Sequence, residues 1–501
     1  MAVEKILGIE TEYGIAGGPG KDPIVASSLI VNAYAQLCSN SIRWDFDGEH
    51  PEIDARGVRG HLQFAPIVER TVANTVLTNG ARLYVDHAHP EYSSPECRTP
   101  LEATLYDAAG EEVMLEAQIS ANVNLEPEDR ITLYKNNSDG KGNSYGTHEN
   151  FLISRSLEFA DIVRAMVPHF VSRQLLFGAG KLGFETDAGE MSRPIFQLSQ
   201  RSEFFEEVVG LETTMKRPVI NTRDEPHADA ERFRRLHVIN GDANMSQVAN
   251  FLKLGSTSLL LGALEEYGVE AFPPAPVDPV FAIRHFAQDL SWVGLEREPH
   301  TVEATDGKNW SSWQYQDSLW SLAKKYVEET GAEAVASEGE VSQILKGWRD
   351  LLDGIKDAPA RVADRIDWLA KFRIIEGFRE RYGLGWDSPK LHAIALQYHD
   401  IRPDKSLSKR AGLSTLIDLL DIRTAMHEAP ADTRAYFRGQ CVRKYPNQIH
   451  SANWDSVVFD LGNGPLHRVP MMDPTRGTAQ LTENLFSGAD SAEALLEIMN
   501  R

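Results

Sequence analysis

Hydrophobic and polar residues alternate with period 2 in several short stretches, the pattern of strands with one buried and one polar face. Residues 3–13 carry Leu7 and Ile9 on one side, Glu10 and Glu12 on the other. Residues 80–86 set Leu83 and Val85 against Arg82, Tyr84 and Asp86. Residues 130–154, "RITLYKNNSDGKGNSYGTHENFLIS", read as one long hairpin with a tip of Asn, Asp, Gly and Ser. Its second arm puts His148 and Asn150 on one face. In "FRRLHVING", Arg235 and His237 oppose Leu236 and Val238. Helical spacing appears in "VASSLIVNAYAQL", in residues 160–176 and 315–383, in "LSTLIDLLDIRTAMHEA" and at the chain's end. The stretch "RRLHVINGDANMSQVANFLKLGSTSLLLGALEEYG" predicts a strand, a turn and a helix, with Asp242 or Asn244 as N-cap.

Strands and helices mix without regular βαβ alternation, so the pattern predicts an α+β fold with an antiparallel sheet. Residues about 43–75, centred on "WDFDGEHPEIDARGVRG", predict an irregular insertion. The expected division is a large domain over residues 1–404 and a small C-terminal domain over 405–501. The latter contains the basic-aromatic segment "YFRGQCVRKYPNQIHSANWDSVVFDL".

Composition narrows the function classes. The 501 residues are 42% hydrophobic and 25% charged, enough for a large core. With 73 acidic against 51 basic residues, the net charge of −22 disfavours nucleic acid and anionic membrane as partners. An acidic or phosphate-bearing ligand then requires a locally basic pocket. Three widely spaced cysteines give no disulfide framework, no run approaches 18 consecutive apolar residues, and acids stand where a signal peptide needs an apolar stretch. These features predict a cytoplasmic protein.

Chemistry concentrates on the polar strand faces. Glu10 and Glu12 project from one face at period 2 and would repel unless a divalent cation such as Mg²⁺ lies between them. The alternative is a solvated edge strand. Asp86, His89, Glu91 and Glu96 lie within eleven residues, with Pro90 and Pro95 holding the chain extended. One carboxylate would bind metal while another acts as nucleophile or base. Tyr84 and His148 are further ligand candidates. Arg193, Arg201, Arg217 and Arg223 form a basic concentration suited to phosphates or an acidic peptide, unless each pairs with local acids. Trp454 would stack on an adenine ring or fill a small core. No GxxxxGK[ST] and no strand-linked GxGxxG is present, so any nucleotide is held in another manner.

The segments "GIETEYG", "NGARLYVDHAHPEYSSPEC", "NNSDGKGNSYGTHENF", "LHVINGDANMSQVANFLKLG" and "VRKYPNQIHSANWD" resemble the Pup ligase and Pup deamidase/depupylase family. The resemblance implies a glutamine-synthetase-like, carboxylate–amine ligase fold: a curved, mostly antiparallel sheet forming an open cradle, helices on its outer side, and a small C-terminal domain. Glu91 stands five positions after Asp86, where the ligase branch typically has one residue more. That spacing, the insertion and the first helix resemble the depupylase branch, although the insertion looks shorter and less acidic than that branch implies.

Carried over by position, Asp86 is the catalytic aspartate, and Glu10, Tyr84 and Glu91 match Mg²⁺ ligands. Arg82, Ser94 and Trp454 fall at ATP-contacting positions, Ser94 replacing the Thr of the ligase pattern. Glu12 and His148 join the metal set, and His237 the ATP set, from face and spacing. The implied cofactors are ATP and Mg²⁺. The implied partners are Pup, a small disordered acidic modifier, and pupylated proteins, met by a monomer. The implied reaction is hydrolysis of the amide of Pup's C-terminal Gln and of the Pup–lysine isopeptide, with ATP bound but not consumed. The rivals are a Pup–protein ligase working through a γ-glutamyl phosphate, a silent ATP- and Pup-binding adaptor, and a small-molecule carboxylate–amine ligase.

Overall fold

The computed structural model describes residues 2–38, 42–57, 73–185, 195–462 and 464–500. Among the described residues six strands form the central sheet, antiparallel throughout. In chain order they are β1 (Leu7–Glu12), β2 (Asn74–Val76), β3 (Arg82–Asp86), β4 (His89–Ser93), β5 (Thr147–Ser154) and β6 (Phe233–Val238). Across the sheet they lie in the order β6–β5–β1–β4–β3–β2. The predicted alternation is obeyed. Leu7, Leu83, Val85, Tyr92, Phe151, Leu236 and Val238 turn into one core, each burial contributing about 1.5–3 kcal/mol for the larger side chains.

Helices α1 (Pro23–Leu37), α2 (Pro100–Asn122) and α3 (Gln247–Tyr267) pack on that apolar face. Each starts on a side-chain cap, Asp22, Thr99 and Ser246 respectively. The predicted cap of α3, Asp242 or Asn244, is therefore corrected to Ser246. Asp242 instead accepts from the Ala179 and Gln200 amides and the Ser199 hydroxyl, and Asn244 bonds Phe177 and Asp367. Helix α3 is buried on nearly all sides because the helices Ser312–Thr330 and Glu338–Asp357 cover it.

The long hairpin expected over 130–154 does not form. Thr132–Tyr134 pairs with Gly14–Ala16, while β5 runs between β1 and β6. Local propensity identified both strands but not their partners, which are set by long-range packing. Of the helix expected over 413–429, only Leu419–Ala425 is helical. The insertion expected at about 43–75 contains the short strand Arg43–Trp44 and ends in β2, and its middle, 58–72, lies outside the described residues.

A second apolar cluster joins Ile42, Trp44 and Val76 to Phe437, Tyr445, Val457, Phe459, Phe486 and Leu495. Its four-stranded sheet pairs Arg43–Trp44 with Ile449–Ala452, so a segment near the start of the chain is built into the C-terminal unit. Ile422, Ala425 and Met426 pack in the first core, not here. Among the described residues, no helix is long and apolar enough to cross a membrane.

Candidate active site

Strand register assembles the polar face. Glu10 stands opposite Ser93 on one side and His148 on the other, Glu12 opposite Glu91, Tyr84 opposite Glu91, and Asp86 opposite His89. His237 pairs with Asn150 at the far edge. Residues from five strands thus meet on one surface because antiparallel partners share a face. Strands β3 and β4 are joined by the two-residue turn His87–Ala88, and His87 takes the left-handed φ of 52° that such tight turns use. The turn leaves Asp86 at the strand end with its side chain 31% exposed.

Glu12, Asp86 and Glu91 each offer an oxygen within 4.8 Å of the others, and Glu10, His148 and His237 form a second such group. The Gly146 amide donates to Glu12 Oε1 at 2.7 Å, and His89 Nδ1 lies 3.4 Å from Glu12 Oε2. Asn150 Nδ2 donates to Glu10 Oε1 at 2.8 Å, while His148 Nδ1 lies 3.4 Å from Glu10 Oε2. Arg235 completes the network by donating to Asn150 Oδ1 at 2.6 Å.

Protonation divides these acids. Burial would push Glu10 up, but the hydrogen bond and charge of His148, with Arg235 and Asn150, bring it below its ordinary value. Asp86 behaves alike: His87, 3.1 Å away, together with His148 and Arg82, outweighs burial and keeps it low. Glu91 is the opposite case. Burial, then Asp86, Glu12 and Glu10, drive it well above the carboxylate range. Tyr84 is likewise pushed up by burial and Glu91, so its phenol stays neutral, and Arg82 lies 3.8 Å over its ring. Burial and the neighbouring Arg235 and His148 keep His237 neutral, and its Nε2 has no partner among the described residues.

A crowd of hard oxygens, one of them forced to hold a proton, fits a divalent cation of the Mg²⁺ kind. Glu10, Glu12 and Glu91 are the residues that would hold it, with Tyr84 and His148 beside them.

Next to the acids a cleft is lined by Ile9, Ser93, Ser94, Asn150, His227 and Trp454, among others. Ser94 Oγ accepts from the Ile9 amide at 3.0 Å and donates to the Pro95 carbonyl, so it braces the cleft wall. Arg82 is sandwiched between Tyr84 and Trp44, the latter at 4.2 Å, and donates to Asn74. Trp454 meets Trp44 edge-on at 5.0 Å. The structure thus links Arg82 to Trp454 through Trp44, a contact residue that sequence spacing gave no way to find.

Of the four arginines expected to receive an acidic peptide, Arg193 lies outside the described residues. Arg201 is only 1% exposed and donates to the Ile239 carbonyl; burial and Arg217 lower it to about 10. Arg217 is half-buried and donates to the Thr213 and Ser144 carbonyls. Both feel the charge of Glu12, and the charge of Arg223 in turn bears on Arg235 and His237. They sit around the acidic face rather than along an open outer surface. Arg223 Nε and Arg201 Nε have no hydrogen-bond partner among the described residues.

The family model described as Pup-ligase protein matches residues 5–458. The chain belongs to this family. Among curated members, the Depupylase of Acidothermus cellulolyticus is 46% identical, and the Pup deamidase/depupylase of Mycolicibacterium smegmatis 42%, each covering 99% of both chains. A Pup–protein ligase of Micrococcus luteus is 34% identical over 96% of this chain and 97% of its own. The Pup ligase PafA solved in complex with Pup superposes with a TM-score of 0.78 at 29% identity, covering 99% of this chain and 94% of that one. PafA solved with ADP gives 0.74 at 31% identity, covering 85% and 92%. The glutamine-synthetase-like α+β fold expected from the sequence is therefore that of this Pup-ligase family member.

Proposed function

We propose that this chain is a Pup deamidase and depupylase. It hydrolyses the side-chain amide of the Gln at the C-terminus of Pup, and the isopeptide bond that joins the same γ-carbonyl to a lysine. The carrying observation is that full-length relatives named Depupylase or Pup deamidase/depupylase stand at 42–46% identity, against 34–36% for relatives named as ligases. The ionised, partly exposed Asp86 beside a buried acidic cluster supplies chemistry that fits.

Asp86 acts on the γ-carbonyl carbon, directly or through a water that it deprotonates. The C–N bond breaks, water supplies the elements of hydrolysis, and the products are a glutamate carboxylate with ammonia or a free lysine amine. Arg235 and Arg223 lie near enough to the acidic face to favour negative charge developing on the carbonyl oxygen. Mg²⁺ held by Glu10, Glu12 and Glu91, with Tyr84 and His148 at its edge, would supply charge neutralisation for phosphates and oxyanion alike. Ser94, Trp454, Arg82 and His237 are the residues that would hold ATP, which would serve as a resident cofactor because amide hydrolysis needs no phosphoryl energy. Arg193, Arg217 and Arg223 receive the acidic Pup tail, whereas Arg201, buried and bonded to the Ile239 carbonyl, cannot meet it directly; the enzyme works as a cytoplasmic monomer. The test is Asp86→Asn, which should abolish ammonia release from Gln-ended Pup while ATP affinity persists. Retained turnover would remove Asp86 from this role.

A further inference from the structure

Glu96 was a candidate in the chemical segment of the sequence, yet it takes no part in the acidic face. It lies just beyond β4, and two arginines from the C-terminal part of the chain close on it. Arg434 Nε donates to Glu96 Oε1 at 2.6 Å, Arg438 Nη1 donates to the same oxygen at 3.2 Å, and Arg438 Nη2 donates to Oε2. The three side chains are 12%, 4% and 0% exposed. Burial alone would push Glu96 up; Arg438 and Arg434 instead hold it at about 2.

Both guanidiniums also grip backbone that borders the cleft. Arg434 Nη1 donates to the carbonyls of His227 at 2.6 Å and Met471 at 2.8 Å. Arg438 Nε donates to Gly80 O, and its Nη1 to Trp454 O, both at 3.0 Å. Its guanidinium lies 5.1 Å from the Trp454 ring centre. Arg434 and Arg438 are one turn apart where the helix Ala435–Lys444 begins, so one helix face presents both. His227, whose φ is 47°, and Trp454 both line the cleft. The ion cluster therefore ties the main sheet, the 227 loop and the Trp454 turn into one wall.

We propose that Glu96, Arg434 and Arg438 are positioning residues for the nucleotide base, acting through the backbone of Trp454 and His227. This rests on the nucleotide reading above. A simple structural salt bridge would need only one arginine and no contacts to the cleft wall. A planar guanidinium is required because a lysine ammonium cannot reach Gly80 O, Trp454 O and both Glu96 oxygens together.

The experiment compares Arg438→Lys and Glu96→Asp with the wild-type full chain, using Mg·ATP and, as a base-free competitor, Mg·tripolyphosphate. Both variants are expected to weaken ATP binding by about tenfold or more and to raise KM for ATP, while the affinity for tripolyphosphate and kcat at saturating ATP stay near wild type. Equal weakening of both ligands, or unchanged ATP affinity in well-folded variants, would overturn the inference. A lowered kcat without a KM change for ATP would also overturn it. A wild-type protein that binds tripolyphosphate as tightly as ATP would overturn the nucleotide reading itself.

Discussion

Glu12 and Glu91 stand directly opposite each other in neighbouring strands, and Asp86 offers a third oxygen within 4.8 Å of theirs. Like charges in that relation destabilise a sheet, and here the conflict falls on Glu91, which is driven well above its ordinary value. Metal-free protein should therefore lose stability as pH rises. Glu91 has a folded pKa above its unfolded one, so its contribution is complete below the ordinary Glu value and fades as pH climbs through the raised one. Calorimetry in a chelator from about pH 5 to about pH 8 should show the decline, and excess Mg²⁺ or Glu91→Gln should reduce it. A decline untouched by either would contradict the assignment.

Gly146 touches the same acids. A Cβ there would lie 2.3 Å from His148 Nε2 and 2.8 Å from Glu12 Oε1. Gly146→Ala should thus displace two proposed ligands, weakening Mg²⁺ binding by about tenfold, or ~1.4 kcal/mol. A Mg²⁺ titration of ATP-dependent turnover reads it directly, with Tm as the control for the fold.

His87 bears on the proposed nucleophile. Its bond and charge help keep Asp86 below its usual range against burial. Removing it in His87→Ala should let the Asp86 pKa rise, so the acid limb of kcat/KM moves to higher pH. An unmoved limb would mean that another group governs it.

Beneath the sheet, Arg173 makes two 2.8 Å bonds to the two oxygens of Glu149, and both side chains are buried. Glu149→Ala strands a buried guanidinium and should cost about 3–5 kcal/mol. Urea unfolding would show it as a lower midpoint at unchanged slope; a loss under about 1 kcal/mol would mean the site relaxes or hydrates.

How much of this was legible beforehand depended on range. Period-2 alternation placed Glu10, Glu12, Arg82, Tyr84, Asp86, His148, Arg235 and His237 on polar faces, because side-chain direction in a strand is local. Pairing is not local: the segment before the Asn-rich loop joins Gly14–Ala16, more than a hundred residues upstream in the chain. The cap of α3 was misplaced because Asp242 and Asn244 have the right chemistry but spend it on Ser199, Gln200 and Asp367. Trp44, Gly146 and the Glu96–Arg434–Arg438 cluster depend on contacts between distant segments. Only the four-residue spacing of the two arginines hinted at a shared face. The roles of the individual acids came from family resemblance, since spacing alone treats Asp86 and Glu91 alike.

The central claim is hydrolysis with ATP as a resident cofactor, and one measurement tests it most directly. Gln-ended Pup is incubated with the full chain, ATP and Mg²⁺, and ammonia and ADP are quantified over many turnovers. Ammonia should accumulate in large excess over ADP. Absence of ammonia would contradict the account, and ADP formed one for one with a product isopeptide when Glu-ended Pup and a lysine-bearing protein are supplied would identify a ligase instead.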